Sequence, residues 1–531
     1  MDAARLDLRN RDALFAELGA RRFDVAVVGG GITGAGIARD AALRGLSVVL
    51  IEAGDFACGT SSRSSKMIHG GLRYLAQGDI ALVREAASER KAVQAIAPHL
   101  AVETPFVIGA RSQTSIARLR AGLWTFEKLG GVPKSRAHQL WSRADLAARE
   151  PAMKAEELAG AVVYPEYLTN DARLTLANVL SAAAAGATIS NYARVERFVL
   201  EGDRAVAIEV ADQLAGGEAR TARVSASVIV NAAGPWVDAV RALESSDAPP
   251  RLALSRGVHL VVRHDRAPAR NTWIIPAGGG RSIFVVPKGA STYIGTTDTF
   301  HPHADVWPPV TTEDADYLLA AANARLEGPP LTHGDIHAAW SGVRPLVNEP
   351  GKGASEISRR DEVWTGPAGV IAIAGGKLTA YRRMAQRVTD KVQTTLGRKP
   401  SPCRTAREPL PGGETAPDAI RQDLAQRGVS GMAADRLIGL YGAVAPELTE
   451  GVAAEATHAV LNEGALRLED YWVRRSGRAW FDDDGGLAAL EPAARAMAPL
   501  LGWDETRMTA EIDGCRARRA ADLAEVTDDG R

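Results

Sequence analysis

Along the first sixty residues the hydrophobic pattern changes period twice. Phe23 to Val28 is apolar and largely β-branched except for Asp24, which predicts a buried strand. It stops at Gly29-Gly30-Gly31, and Ile32 to Arg44 then reads as a helix rich in small residues. Ser47 to Glu52 is the next strand, continuously apolar from Val48 to Ile51. Strand, helix and strand in this order predict a βαβ unit with parallel strands. Two runs of the same kind come much later: Val224 to Val230, followed by Asn231-Ala232-Ala233-Gly234, and Gly369 to Ala374, followed by Gly375-Gly376. Strands that end in glycine turns yet lie far apart in the chain predict one discontinuous sheet.

Between these runs the pattern is different. Val258 to Val262, Ser282 to Val286 and Ser291 to Gly295 are short stretches separated by Gly/Pro turns, which predicts an antiparallel sheet inserted as a substrate domain. After Lys391 the turn-rich segments Gly397 to Pro402 and Pro409 to Gly413 predict a linker. Beyond it, Ala416 to Ala524 is rich in Ala, Leu, Glu and Arg and poor in strand formers, so helices are expected. The expected division is a discontinuous nucleotide domain over 20–395, with inserted segments around 96–160 and 246–340. A linker over 396–415 and a helical C-terminal domain over 416–531 follow.

Composition narrows the chemistry. With 63 basic and 64 acidic residues in 531, the net charge of −1 offers nothing to nucleic acid, so any anion site must be local. Cys58, Cys403 and Cys515 are far apart and form no CxxC pair, which argues against a disulfide framework or a zinc site and for a reducing compartment. No His/Cys/carboxylate cluster has metal-ligand spacing. The N-terminal stretch Arg5 to Arg22 mixes charges with leucines, unlike a signal peptide. No run approaches the ~18 apolar residues that cross a bilayer, so membrane contact is expected to be peripheral. The basic and aromatic stretch Trp472 to Trp480 is read as packing rather than lipid contact.

The first chemical motif is Gly29-x-Gly31-x-x-Gly34, placed between strand and helix. Gly29 permits the tight turn, Gly31 lets the backbone approach a pyrophosphate, and Gly34 lets helix and strand pack closely. The helix N-terminus adds amide donors and partial positive charge. Glu52 closes the second strand 18 residues after Gly34, where a carboxylate can bond ribose hydroxyls. The nucleotide is FAD or NAD, and the pairing of an early βαβ unit with a late Gly375-Gly376 strand favours FAD. The polar stretch Thr60 to Tyr74 suits either a phosphate- or flavin-binding loop or a solvated surface.

Several segments together are more specific: Gly29-Gly-Gly-Ile-Thr-Gly34, Ser61-Ser-Arg-Ser-Ser-Lys66, His69-Gly-Gly-Leu-Arg-Tyr74, Gly295-Thr-Thr-Asp298, Ser341-Gly-Val-Arg-Pro-Leu346 and Gly375-Gly-Lys-Leu-Thr379. In this order the chain resembles the aerobic, FAD-dependent glycerol-3-phosphate dehydrogenases. Gly122 to Arg136, Ala277 to Gly280 and the stretch from Tyr471 depart from that pattern. The resemblance implies an α/β fold with a glutathione-reductase-like FAD-binding domain, an antiparallel cap over the flavin and a helical C-terminal domain. It implies a cytoplasmic protein held peripherally on the inner face of the cytoplasmic membrane, and it leaves a homodimer open. It also places FAD against Gly29, Gly31, Gly34, Glu52, Thr60, Ser61, Ser62, Ser65, Lys66, Gly234, Gly375, Gly376 and Leu378. Substrate is expected at Arg73, Tyr74, Arg344 and Lys377, and chemistry at His259 and Arg344.

The implied reaction converts sn-glycerol 3-phosphate to dihydroxyacetone phosphate, with hydride passing to flavin N5 and electrons to a membrane quinone. A phosphate dianion in a partly dry pocket calls for fixed cations, which Arg344, Arg73 and Lys377 supply. His259 is the expected base because an unperturbed imidazole titrates near operating pH. Arg344 is expected to steady developing alkoxide or phosphate charge. The rival readings are an oxidase that reduces oxygen, a flavin amine oxidase of the glycine or sarcosine oxidase kind, and a flavin-binding sensor or scaffold without turnover, against which Arg73, His259, Arg344 and Lys377 speak.

Overall fold

The run around Val25 forms the strand Arg22–Val28 at the heart of an eight-stranded sheet. It is flanked by two parallel neighbours, Val48–Ile51 on one side and Thr221–Asn231 on the other. Thr188–Ser190 extends the sheet beyond the first neighbour and Ile371–Gly375 beyond the second, both parallel. The edge strand Asp361–Thr365 is antiparallel. The computed structural model describes residues 5–70, 80–215, 220–349, 351–353, 357 and 360–526. Val25, Ala26, Val27, Val48 and Leu50 have no exposed surface, because helices cover one face of the sheet and the ribbon Ala193–Glu201/Arg204–Asp212 lies against the other. Burying each Val or Leu fully stabilises the sheet by about 1.5–3 kcal/mol.

Small residues let the covering helices approach. A Cβ added to Gly36 of the helix Ile32–Leu43 would stand 3.1 Å from the Tyr381 ring and 3.3 Å from Ala385 of the helix Tyr381–Thr395. The third covering helix is Asp171–Ala184.

A second sheet of ten strands builds the cap. Its longest pair, Leu252–Arg263 and Ile336–Val347, is antiparallel and sets His259 opposite Trp340 and Arg344 opposite Ser255. One pairing differs from the expected antiparallel sheet: Thr272–Pro276 runs parallel to Val102–Ala110. These strands come from the two separate inserted segments, so no hairpin dictates their relative direction. Helices from Pro417–Gln426 to Glu505–Leu523 form the C-terminal region. There Trp472 and Trp480 are 2% and 3% exposed, so this stretch packs inward as its apolar content suggested.

Candidate active site

The glycine turn has little freedom to be anything else. Gly29 sits at φ +109°, and a Cβ there would stand 2.6 Å from the Ala232 carbonyl oxygen. A Cβ on Gly34 would come within 1.9 Å of the Gly29 carbonyl oxygen, so only glycine lets the helix start this close to the strand. Gly31 is less crowded, with Ser61 Oγ at 3.2 Å from an added Cβ, and it faces a cavity. Glu52 stands at the end of the neighbouring strand and accepts from Gly30 N at 2.6 Å and Gly54 N at 2.8 Å. Burial pushes its carboxyl above the usual range, against those two amides. Oε1 also accepts from Cys58 Sγ at 3.8 Å, so Oε2 is the oxygen that keeps a lone pair for a further donor.

The cavity is about 740 Å³ and runs from Glu52 past Gly29, Gly31, Thr60 and Ser61 to Gly234, Gly375, Gly376, Lys377 and Leu378. Ser61 Oγ also accepts from Ile32 N at 2.9 Å, fixing the start of the helix. Thr60 Oγ1 donates to the Val343 carbonyl at 2.5 Å and ties the cavity wall to the cap strand. Gly375 and Gly376 have φ of +76° and +81°, and a Cβ on Gly376 would meet Met384 Sδ at 2.4 Å.

Four of the expected cofactor positions do not line the cavity: Gly34, which serves the close helix–strand packing, and Ser62, Ser65 and Lys66. Ser62 is fully buried and points its hydroxyl toward the Gly59 carbonyl. Lys66 takes φ +54° and donates to Asp171 Oδ1 at 2.7 Å and the Ser62 carbonyl at 2.8 Å. Its ammonium also lies over the Trp480 and Trp340 rings at 4.7 and 5.1 Å. A buried ammonium needs a counter-charge, and Asp171, invisible to local sequence reasoning, supplies it. Ser65 turns instead to His259, with Oγ 2.9 Å from Nε2.

His259 is 1% exposed and stacks on Trp340 at 4.8 Å with an interplanar angle of 13°. Gly295 makes room for it, since a Cβ there would stand 2.1 Å from the ring. Burial, then the nearby Arg344 and Lys66 charges, hold its pKa well below the usual imidazole value. The expectation of an unperturbed titration near operating pH is therefore corrected: burial among cations keeps this imidazole neutral. Two residues along the same strand, Gly257 leaves space for the Arg344 guanidinium, which an added Cβ would touch at 1.9 Å. Arg344 donates to Asp298 Oδ1 at 3.1 Å, Thr296 Oγ1 at 3.0 Å and the Thr297 carbonyl at 3.2 Å. Asp298 was legible as the last residue of the Gly295-Thr-Thr-Asp298 motif, but its partnership with Arg344 was not.

Lys377 follows the Gly375-Gly376 turn and lines the cavity. Its charge reaches His69, whose imidazole burial, then Lys377 and Arg90, push down to about 3. Arg73 and Tyr74 lie outside the described residues.

Residues 24–382 match the family described as FAD dependent oxidoreductase, and residues 403–508 match the C-terminal domain of alpha-glycerophosphate oxidase. An aerobic glycerol-3-phosphate dehydrogenase of Bacillus subtilis (strain 168) is 36% identical over 527 aligned positions, covering 93% of this chain and 94% of that protein. The chain belongs to the FAD-dependent aerobic glycerol-3-phosphate dehydrogenase family. The enzyme of the same name from Staphylococcus aureus (strain USA300) is 37% identical, with 92% of each chain covered. The structure of the glycerol-3-phosphate dehydrogenase from Bacillus halodurans complexed with FAD superposes with a TM-score of 0.81 at 32% identity, covering 99% of this chain and 100% of that one.

The cavity fits the family's cofactor. A backbone stripped of Cβ atoms at Gly29 and Gly31 lies at one wall, and a carboxylate whose Oε2 keeps a lone pair stands at one end. A Gly31→Val variant is therefore expected to fold, because its Cβ meets only a hydroxyl at 3.2 Å, yet to purify with little or no flavin. Absorbance at the flavin band against protein content measures this, and a parent-like ratio would refute it. Gly34→Ala meets backbone at 1.9 Å and should fail to fold.

Proposed function

We propose that the protein oxidises sn-glycerol 3-phosphate to dihydroxyacetone phosphate and passes the electrons to a membrane quinone. The observation that supports this most is Lys377 in the cavity lining, with Arg344 one residue from its wall. Lys377 arrives on a turn of one sheet, and Arg344 arrives beside the cavity-lining Pro345 on a strand of the other. The two sheets meet there, with an added Cβ on Gly375 only 3.3 Å from Val347. A substrate that carries a phosphate dianion and develops negative charge at C2 suits these two cations better than the carboxylate and amine of an amino acid. Arg73 and Tyr74 are proposed to complete the phosphate site, as the family motif implies.

Bound FAD supplies the acceptor for the hydride that leaves C2. The chain's own task is to hold the substrate and take a proton. Lys377 binds the phosphate as a point charge, and Arg344, braced by Asp298 and Thr296, faces the charge that develops on the C2 oxygen. His259 Nε2 accepts the C2 hydroxyl proton through Ser65 Oγ, 2.9 Å away. Stacking on Trp340 and the edge of Tyr293 hold the ring in place and keep water from it.

Because its pKa lies well below the usual value, His259 starts each turnover neutral, and no imidazole ionisation should appear in the rate of flavin reduction between pH 6 and 9. His259→Asn should slow that step about 10²–10⁴-fold, the usual worth of a positioned base, while substrate affinity changes less. Rapid mixing at varied substrate separates the two quantities. Reduction at the parent rate would remove His259 from the mechanism.

The direct test of the function is anaerobic bleaching of the flavin. sn-Glycerol 3-phosphate should bleach it, whereas glycerol, glycine and sarcosine should not. Equal reduction by unphosphorylated glycerol would mean that the cations serve another purpose. A second reading, oxygen as acceptor, is favoured by the match of residues 403–508 to a glycerophosphate oxidase domain. Mixing reduced protein with a quinone analogue and, separately, with oxygen decides between them. No helix of the described residues is long and apolar enough to cross a membrane, so the proposed membrane contact is peripheral.

A further inference from the structure

The loop between Glu52 and Thr60 forms the cavity wall next to the Glu52 carboxylate, with Ala53, Cys58 and Gly59 lining it. Local contacts fold it back on the glycine turn. Gly54 N donates to Glu52 Oε1 at 2.8 Å, and Ala57 N, at φ +62°, donates to the Gly30 carbonyl at 3.2 Å. Phe56 packs on Gly30, where an added Cβ would stand 2.9 Å from its ring.

A further restraint on this loop comes from the far end of the chain. Asp55 is 1% exposed and accepts from Arg474 Nε and from both terminal nitrogens of Arg475. Both arginines belong to a π-helical turn, Asp470–Arg475, a geometry rare enough that it often marks a functional position. Arg474 also donates to Asp470 Oδ1 at 2.8 Å, Asp470 accepts from Tyr192 OH at 2.6 Å, and Tyr192 N donates to the Gly54 carbonyl at 2.8 Å. The contacts thus close a ring from Gly54 through Asp55, Arg474, Asp470 and Tyr192 back to Gly54. Desolvating so many charges is a poor way to gain stability alone. A closed ring does, however, hold a loop in one orientation.

We propose that Arg474 and Arg475 are positioning residues for FAD: acting through Asp55, they hold the loop that aims Glu52 at the adenosine ribose, so that the helical C-terminal region closes the nucleotide site. This rests on the reading of Glu52 as the ribose contact.

A double-mutant cycle on the holoenzyme tests it, with FAD release followed by the rise of flavin fluorescence on dilution. Arg475→Lys and Glu52→Gln should each speed release about tenfold or more, and the double variant should release FAD no more than about twofold faster than Glu52→Gln. At saturating FAD, kcat of Arg475→Lys should stay within about twofold of the parent, which a general loss of structure would not allow. Tyr192→Phe opens the ring while keeping the ring's shape and serves if Arg475→Lys does not fold. Circular dichroism establishes folding in each case. Independent, multiplying effects in the cycle, or parent-like release from folded Arg475→Lys and Tyr192→Phe, would overturn the proposal. If Glu52→Gln alone retains FAD like the parent, the ribose reading itself fails. Fast release from Arg475→Lys would then show that the arginines act by a route other than Glu52.

Discussion

In an Arg344→Lys variant, kcat/KM for glycerol 3-phosphate is expected to fall about 10²–10³-fold, the usual cost of losing one preorganised donor to a developing oxyanion. The guanidinium is braced at several points, among them Ser255 Oγ at 3.3 Å and the Arg256 carbonyl at 3.2 Å in addition to Asp298, Thr296 and Thr297. A lysine ammonium has three donors on a flexible stem and cannot span these partners while facing substrate. It does keep the charge that pairs with Asp298, so the fold should survive. The loss is expected mainly in kcat, because an interaction that strengthens at the transition state leaves ground-state binding largely intact. A rise in KM at unchanged kcat would mean that Arg344 only binds phosphate. Steady-state kinetics on FAD-saturated enzyme distinguish the two.

The largest expected effect on stability comes from Glu463→Ala. Arg173, on the helix Asp171–Ala184 under the first sheet, makes a bidentate pair with Glu463 of the C-terminal region at 2.7 and 2.6 Å. The two side chains are 7% and 2% exposed. Removing one partner leaves a buried guanidinium without its counter-charge, which costs about 3–5 kcal/mol. Thermal unfolding of purified parent and variant measures it, and a shift near zero would show that the pair is solvated in solution. The pH dependence has a definite sign. Burial opposes ionisation of Glu463, but Arg173 and His458 outweigh it and hold the carboxyl below the usual range. The pair's contribution is therefore fully present above the unfolded glutamate pKa of about 4.3 and is lost as pH falls below it. Glu463→Gln should flatten stability against pH in that acid window.

The parallel strands of the first sheet and their glycine turns could be read directly from the chain. A strand buried on both faces is written as an unbroken apolar run, and a position with no room for a Cβ is written as glycine. Gly29 and Gly34 announced the nucleotide turn for that reason, and the Ala- and Leu-rich stretch after Ala416 announced helices. The ribbon Ala193–Glu201/Arg204–Asp212 escaped notice because its charges interrupt the apolar alternation on a partly exposed surface.

Partnerships lay beyond that kind of reading. Lys66 looks like a phosphate ligand until Asp171 is seen 2.7 Å away, and His259 looks like an ordinary titrating base until burial beside Arg344 and Lys66 is known. Ser65 meets His259 across 194 residues, and Asp55 meets Arg475 across 420. Periodicity and glycine placement report how each residue sits relative to its own backbone and to solvent, which are local properties. Which charge faces which, and how far an imidazole is desolvated, depends on the packing of two sheets and a helical region against one another, and that exists only once the chain has folded.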